Sequence, residues 1–165
     1  MRVLVLKPAI DTKGESAVVS RLGVTRNVDI LVGTDDSIVE LLTDIDGVRA
    51  ILVDEAQFLS PAQAEELFWF AATQDIPVLS YGLRTDFQTH GFPGSTRLLE
   101  LAHELDELKT ICRCGRKATL NGRKLHDTFV SEGAQIAIED QADIEYEALC
   151  ALHYRELVLD QKATA

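Results

Sequence analysis

Ala50-Ile51-Leu52-Val53-Asp54-Glu55-Ala56-Gln57-Phe58-Leu59, residues 50–59, is the stretch whose reading decides the fold. A short apolar run here delivers two adjacent carboxylates into a loop, which is the form of a Walker B strand. Inner strands of a parallel sheet read as continuous apolar runs because both of their faces are buried. Ligands of open α/β sheets lie beyond the carboxyl ends of such strands, where Asp54 and Glu55 emerge. Successive side chains on a strand point to opposite sides, so the two acids can hold separate tasks. An ordinary strand followed by a solvated acidic turn has the same pattern, and the flanking chain must decide between the two.

Outward from this stretch the pattern alternates. Residues 2–6 are strand-like and are followed by Lys7-Pro8 and a polar loop over 11–16. Asp35 or Asp36 is placed to cap a helix whose apolar positions are Ile38, Leu41, Leu42 and Ile45. Downstream, Ser60-Pro61-Ala62-Gln63 has the form of a capping box with proline at the first helical position. Ala64, Leu67, Phe68 and Ala71 form the buried stripe expected of that helix, with Trp69 and Phe70 off it. Residues 77–83 make a second apolar strand that empties into Arg84-Thr85-Asp86-Phe87. Gly91, Pro93 and Gly94 break the chain before a helix carrying Leu98, Leu101, Ala102 and Leu105. Such alternation predicts a parallel sheet with right-handed crossovers.

From about Leu108 the pattern changes to short strand-like segments over 109–112, 117–120 and 134–138, closed by a helix over about 145–158 and a frayed tail. The expected organisation is an α/β core over 1–110, a small β appendage over 111–157 and a tail over 158–165.

Composition narrows the function. At 165 residues and 46% hydrophobic content the chain accommodates one domain of ordinary size and a small appendage. A net charge of -11 argues against nucleic acid or an anionic membrane as partner, since both are bound through basic surfaces. A small phosphorylated ligand stays open, because a local cationic pocket or a metal can outweigh the global field. Three cysteines, with no signal-peptide pattern and no apolar run of membrane length, point to a reducing cytoplasm rather than a disulfide scaffold.

The cysteines fall into a metal-ligand pattern. Cys112-x-Cys114 and Cys150-x-x-His153 use every cysteine and one of the four histidines, giving the four donors of a closed structural zinc site. Positions three apart on a helix share a face, so Cys150 and His153 can reach one ion, with the Cys-x-Cys turn supplying the other two ligands. Three unrelated buried cysteines are the competing reading. His90, His103 and His126 lack ligand spacing and are expected at the surface.

Four stretches in order now point one way: Val53-Asp54-Glu55-Ala56-Gln57-Phe58-Leu59, Tyr81-Gly82-Leu83-Arg84-Thr85-Asp86-Phe87, Leu108 to Ala118 with its Cys112-Arg113-Cys114-Gly115 turn, and Tyr146 followed by Cys150 and His153. Together they resemble the thymidine kinases of the small, zinc-containing type found in bacteria and in the human cytosol. The resemblance runs from about Arg2 to about Tyr154. It implies a P-loop-kinase-like parallel sheet with a zinc-stabilised β and lasso appendage. It also implies transfer of the γ-phosphoryl group of ATP to the 5′-hydroxyl of thymidine with magnesium, a structural zinc ion, and a homotetramer. By position, Glu55 resembles the general base and Asp54 the acid that holds magnesium through water. Phe58, Phe87 and Phe92 match apolar residues lining the thymine pocket, and Tyr146 matches the lasso tyrosine. Asp11, Lys13 and Arg21 fall where the family has residues beside the phosphates, with Lys13 replacing an arginine and so losing the bidentate fork.

Two departures stand out. Glu139-Asp140-Gln141-Ala142 occupies the region where the family has Gly-Gly before its tyrosine. Further, the family opens with a strand and a Gly-x-x-x-x-Gly-Lys-Ser/Thr loop that cradles the ATP phosphates, and no such stretch occurs in these 165 residues. Two readings follow: a thymidine kinase whose given sequence starts late, and a nucleoside-binding remnant that keeps the zinc site without productive ATP binding.

Overall fold

A computed structural model describes residues 2–10, 17–19, 25–135 and 144–160. The chain divides into two compact units, the first made of residues 1–84 and 92–105 and the second of residues 85–91 and 106–165.

The first unit is built on a four-stranded sheet. Its strands are β1 (Arg2–Pro8), β4 (Ile30–Val32), β5 (Val48–Val53) and β6 (Val78–Ser80), in the order β4-β1-β5-β6. Every pairing is parallel, as the alternating pattern predicts. A separate antiparallel hairpin, β2 (Ala17–Val19) with β3 (Thr25–Asn27), precedes β4. Neither the hairpin nor β4 was expected from the sequence, because runs this short carry no resolvable period. Register sets Leu4 beside Ile51 and Leu6 beside Val53, and these residues share one core with Val32, Ile38, Leu67 and Phe70. Burying a side chain of this size stabilises by about 1.5–3 kcal/mol.

Among the described residues, three helices complete this unit: α1 (Ile38–Leu41), α2 (Pro61–Gln74) and α3 (Pro93–Leu101). The cap of α1 is Ser37 rather than Asp35 or Asp36; the Asp36 carboxylate instead accepts the Gly33 N–H at 2.7 Å. Glu66 of α2 adds its own carboxylate to the α1 start, accepting the Ile38 N–H at 2.6 Å. The capping box of Ser60 and Gln63 is present, with Pro61 at the helix start. The stripe below it is rotated from expectation: Ala64, Leu67 and Phe70 are buried while Phe68 lies on the flank. Phe68 stacks on His103 there, with ring centroids 5.1 Å apart. Trp69 is 61% exposed.

Helix α3 starts at Pro93, inside the stretch expected to break the chain, because Phe92 serves as its cap and proline suits the first turn. It ends at Leu101, leaving Leu105 exposed. Strand β6 is shorter than expected, since the backbone after Ser80 leaves the ladder to meet the turn that follows β5.

Among its described residues the second unit carries two small antiparallel sheets. One is the hairpin of β7 (Thr110–Ile111) and β8 (Lys117–Ala118). The other is three-stranded, in the order β10 (Thr128–Val130), β9 (Leu120–Leu125), β11 (Ile144–Leu149). After β11 come α4 (Ala151–Tyr154) and a π-helical turn, Arg155–Leu159. Residues 145–149, expected to begin a helix, are strand instead. Their helix-forming glutamates and alanine yield to continuous pairing with β9, from Ile144 with Leu125 to Leu149 with Leu120. Ala134 and Gln135 are not strand; the remainder of that expected segment, and the tail over 161–165, lie outside the described residues. No helix among the described residues is long and apolar enough to cross a membrane.

Candidate functional site

Asp54 and Glu55 emerge at the carboxyl end of β5, an inner strand of the first unit. Three backbone hydrogen bonds fix this turn. The Asp54 N–H donates to Leu6 O at 2.9 Å, the Tyr81 N–H to Val53 O at 2.8 Å, and the Ala56 N–H to Tyr81 O at 2.8 Å. Glu55 adopts the left-handed conformation, with φ 49° and ψ 38°, and opens a 3₁₀ turn over Ala56–Phe58. Its Oε2 accepts the Gln57 side-chain N–H at 2.5 Å. Gln57 is itself buried, and its Oε1 accepts the Leu83 N–H at 3.1 Å. Gly82 makes that approach possible: a Cβ there would lie 2.5 Å from Gln57 Oε1.

Gln57 thus holds Glu55 and the end of the neighbouring strand together. Sequence reasoning missed it, although its place two residues after Glu55 was the available signal. Also in this unit, Phe58 and Phe92 meet edge to face, with centroids 5.8 Å apart and planes at 83°. Asp11, Lys13 and Arg21 lie outside the described residues.

In the second unit Phe87 is 1% exposed, beneath the Arg123 guanidinium, whose carbon lies 3.6 Å from the ring centroid. The Phe87 carbonyl accepts the Tyr154 hydroxyl at 2.6 Å. Burial, with the nearby Asp86 charge, raises the Tyr154 phenol above its ordinary pKa. Asp86 is buried as well. Its Oδ1 accepts the N–H groups of Gln88 and His90, both at 2.8 Å, and its Oδ2 accepts the Gln135 side-chain N–H at 3.0 Å. Tyr146, on β11, is 50% exposed. Asp86, Arg123, Gln135 and Tyr154 were all missed as organising residues; an aspartate two residues before an N–H in a loop is a turn signal, whereas the others show no local pattern.

The structure brings Cys112, Cys114, Cys150 and His153 together, their ligand atoms all within 4.8 Å of one another. Cys112 and Cys114 come from the β7–β8 turn, Cys150 caps α4 and His153 lies within it. Two sulfurs each about 2.3 Å from a tetrahedral zinc ion lie roughly 3.8 Å apart. The Cys114 and Cys150 sulfurs are 3.7 Å apart, and Cys112 Sγ is 3.2 Å from His153 Nδ1. Backbone N–H groups of Cys114 and Cys150 draw the Cys112 thiol down to about 6. Cys114 moves the other way: the Arg116 N–H favours its thiolate, but burial and the adjacent Cys112 and Cys150 sulfurs outweigh it. Neighbouring thiolates repel, and a divalent cation is what allows all three to ionise together. The donor set and its geometry fit zinc. The other three histidines are exposed.

A parallel sheet with paired acids at an inner strand end, carried in one chain with a Cys₃His cluster, defines a mixed α/β protein with a candidate metal site. Comparison with known proteins narrows this. The chain belongs to the thymidine kinase family, which it matches over residues 1–154. It is 44% identical over 163 residues to the thymidine kinase of Enterobacteria phage T4, covering 95% of this chain and 82% of that protein. Over 168 residues it is 42% identical to the thymidine kinase of Rhodopirellula baltica, covering 96% of this chain and 76% of the relative. The thymidine kinase of Ruegeria pomeroyi is also 42% identical, over 168 residues, with 99% and 83% covered.

Proposed function

We propose that this chain transfers the γ-phosphoryl group of ATP to the 5′-hydroxyl of thymidine, giving thymidine monophosphate and ADP. The observation that carries the reading is the Glu55 carboxylate, held at the carboxyl end of an inner strand in a left-handed backbone and oriented by buried Gln57. Strained residues cluster at functional sites, and a carboxylate fixed at this edge is suited to take a proton. In the proposed step Glu55 accepts the 5′-hydroxyl proton as the oxygen forms a bond to the γ-phosphorus. The bond from that phosphorus to the bridging oxygen breaks, and ADP leaves with the electron pair. Phosphoryl transfer is chiefly positioning and charge neutralisation.

Asp54 supplies a carboxylate oxygen of the kind magnesium takes. Magnesium, when bound with ATP, would neutralise charge on the phosphates. Roles beside the phosphates are proposed for Asp11, Lys13 and Arg21 from their sequence match alone. Nucleoside-binding roles are proposed for Phe58 and Phe92 in the first unit, and for Phe87 and Tyr146 in the second. Phe87 acts as a buried support rather than an open stacking face, since Arg123 covers its ring. Zinc on Cys112, Cys114, Cys150 and His153 is structural, because four protein ligands leave no open position. A cytoplasmic homotetramer completes the reading. A second reading is nucleoside binding without phosphoryl transfer.

Thymidine calorimetry and transfer of labelled γ-phosphate, on the chain and on Glu55→Gln, test both. The kinase reading expects thymidine affinity within about threefold for Glu55→Gln and a fall in turnover of about 10² or more. Thymidine binding with no transfer by the unmodified chain supports the second reading. Loss of binding in Glu55→Gln recasts Glu55 as a structural residue, and a chain that binds no thymidine overturns both.

A further inference from the structure

Arg123 belongs to none of the motifs above, yet it is 5% exposed and its guanidinium faces two aromatic rings of the second unit. Its guanidinium carbon is 3.6 Å from the Phe87 centroid and 5.4 Å from that of Tyr146. Its Nε donates to the Tyr146 hydroxyl at 3.0 Å, and one terminal nitrogen donates to Gln135 O at 3.1 Å. The other terminal nitrogen lies 3.2 Å from where a Cβ on Gly133 would stand. Gln135 in turn donates to buried Asp86, and Gln88 donates to Ser131 O at 3.2 Å.

Burying a guanidinium costs several kcal/mol before its partners are counted. A fold that needed only packing at this position would be served better by an apolar residue. What the buried charge achieves is specific: it holds the hydroxyl of a half-exposed tyrosine and the backbone at Gln135. Strand pairing fixes the Tyr146 backbone but not the direction of its ring. Arginine fits this task because its planar fork can stack on one ring while donating in two directions, which a lysine cannot do.

We propose that Arg123 is a positioning residue of the nucleoside site, using Phe87 as its platform to fix both the Tyr146 ring and the segment 131–135 for binding thymidine. This rests on the nucleoside-binding role proposed for Tyr146. Thymidine affinity is measured by calorimetry for the full chain and for Arg123→Met, Arg123→Lys, Tyr146→Phe, Tyr146→Ala and the double variant Arg123→Met with Tyr146→Phe. Metal content and circular dichroism establish that each is folded.

The proposal expects Arg123→Met to weaken thymidine by tenfold or more and Arg123→Lys to recover part of that loss. The double variant should be no weaker than Arg123→Met alone, because both changes break one linkage. A merely structural arginine would leave the two losses additive and give no partial rescue. Should Arg123→Met fail to fold, Arg123→Lys and Tyr146→Phe carry the test: both must weaken binding, and Arg123→Lys at full affinity overturns the proposal. Tyr146→Ala abolishing binding while Arg123→Met stays within twofold also overturns it and leaves the nucleoside role of Tyr146 standing. Unchanged affinity in Tyr146→Ala removes that role and this inference with it.

Discussion

Among the described residues Glu55 shares positive φ with three other non-glycine residues, Asp75, Thr89 and His126, but it alone follows an inner sheet strand. Thr89 lies in the loop where the Asp86 N–H donates to His90 O at 2.9 Å. Asp75 follows the last turn of α2, and His126 sits in the β9–β10 connection, both places where a left-handed residue closes a turn. Glu55 has a longer side chain than the residues that adopt this conformation readily, and such strain costs on the order of 1–3 kcal/mol. Glycine there should therefore leave the protein as stable or more so, by up to about 1 kcal/mol, while removing the carboxylate. Chemical denaturation of Glu55→Gly checks this, and a clear loss of stability would mean that the Gln57 contact outweighs the strain. At this scale much of the candidate site was legible in the sequence. Adjacent acids after an apolar run, and cysteines at ligand spacing, are local patterns. Asp86 and Arg123 were not legible, because their importance comes from partners brought in by distant segments.

Gly94 shows how closely α3 meets the turn after β5. A Cβ at this position would stand 2.3 Å from Leu59 O and 3.1 Å from both Ala56 O and Gln57 O. Backbone cannot swing aside as a flexible side chain can, so Gly94→Ala should force α3 off the turn, at a cost of about 2–3 kcal/mol. It should also disturb Glu55, whose partner Gln57 lies in that turn. Thermal unfolding, with proton spectra of the Phe58 and Phe92 rings, measures the effect; a variant as stable as the parent would show that the helix has room to shift. Elements were legible where a local device governs them. Ser60 and Gln63 announce α2 because a capping box is self-contained. The strand over 144–149 was not legible, since its sequence suits a helix and only pairing with β9 decides otherwise. Phe68 and Phe70 illustrate a smaller failure: adjacent apolar residues leave the phase of a helical stripe open to a one-residue rotation.

Among the described residues there are two separate buried clusters, one among the first unit's strands and helices and one around Cys112, Leu149, Cys150 and Tyr154. The second is small for its chain length, and a metal bound only by the folded chain contributes directly to its stability. Metal analysis should therefore return about one zinc ion per chain. Removal by a strong chelator should speed amide exchange through β7 to β11 while β1 and β5 keep their protection, as followed by exchange mass spectrometry. A folded protein without metal, or uniform deprotection of both units, would count against a locally structural ion.

Residues 85–91 belong to the second unit although first-unit residues flank them in sequence. During synthesis Phe87 leaves the ribosome well before its partners: Tyr154, whose hydroxyl holds its carbonyl, follows 67 residues later. At translation rates of roughly 5–20 residues per second that interval is about 3–13 s. The first unit's core residues have all emerged by then, whereas this loop must wait for Arg123 before its phenylalanine ring is covered and for Tyr154 before its carbonyl is bound. The nascent protein thus has a defined interval in which a chaperone's apolar groove has a target.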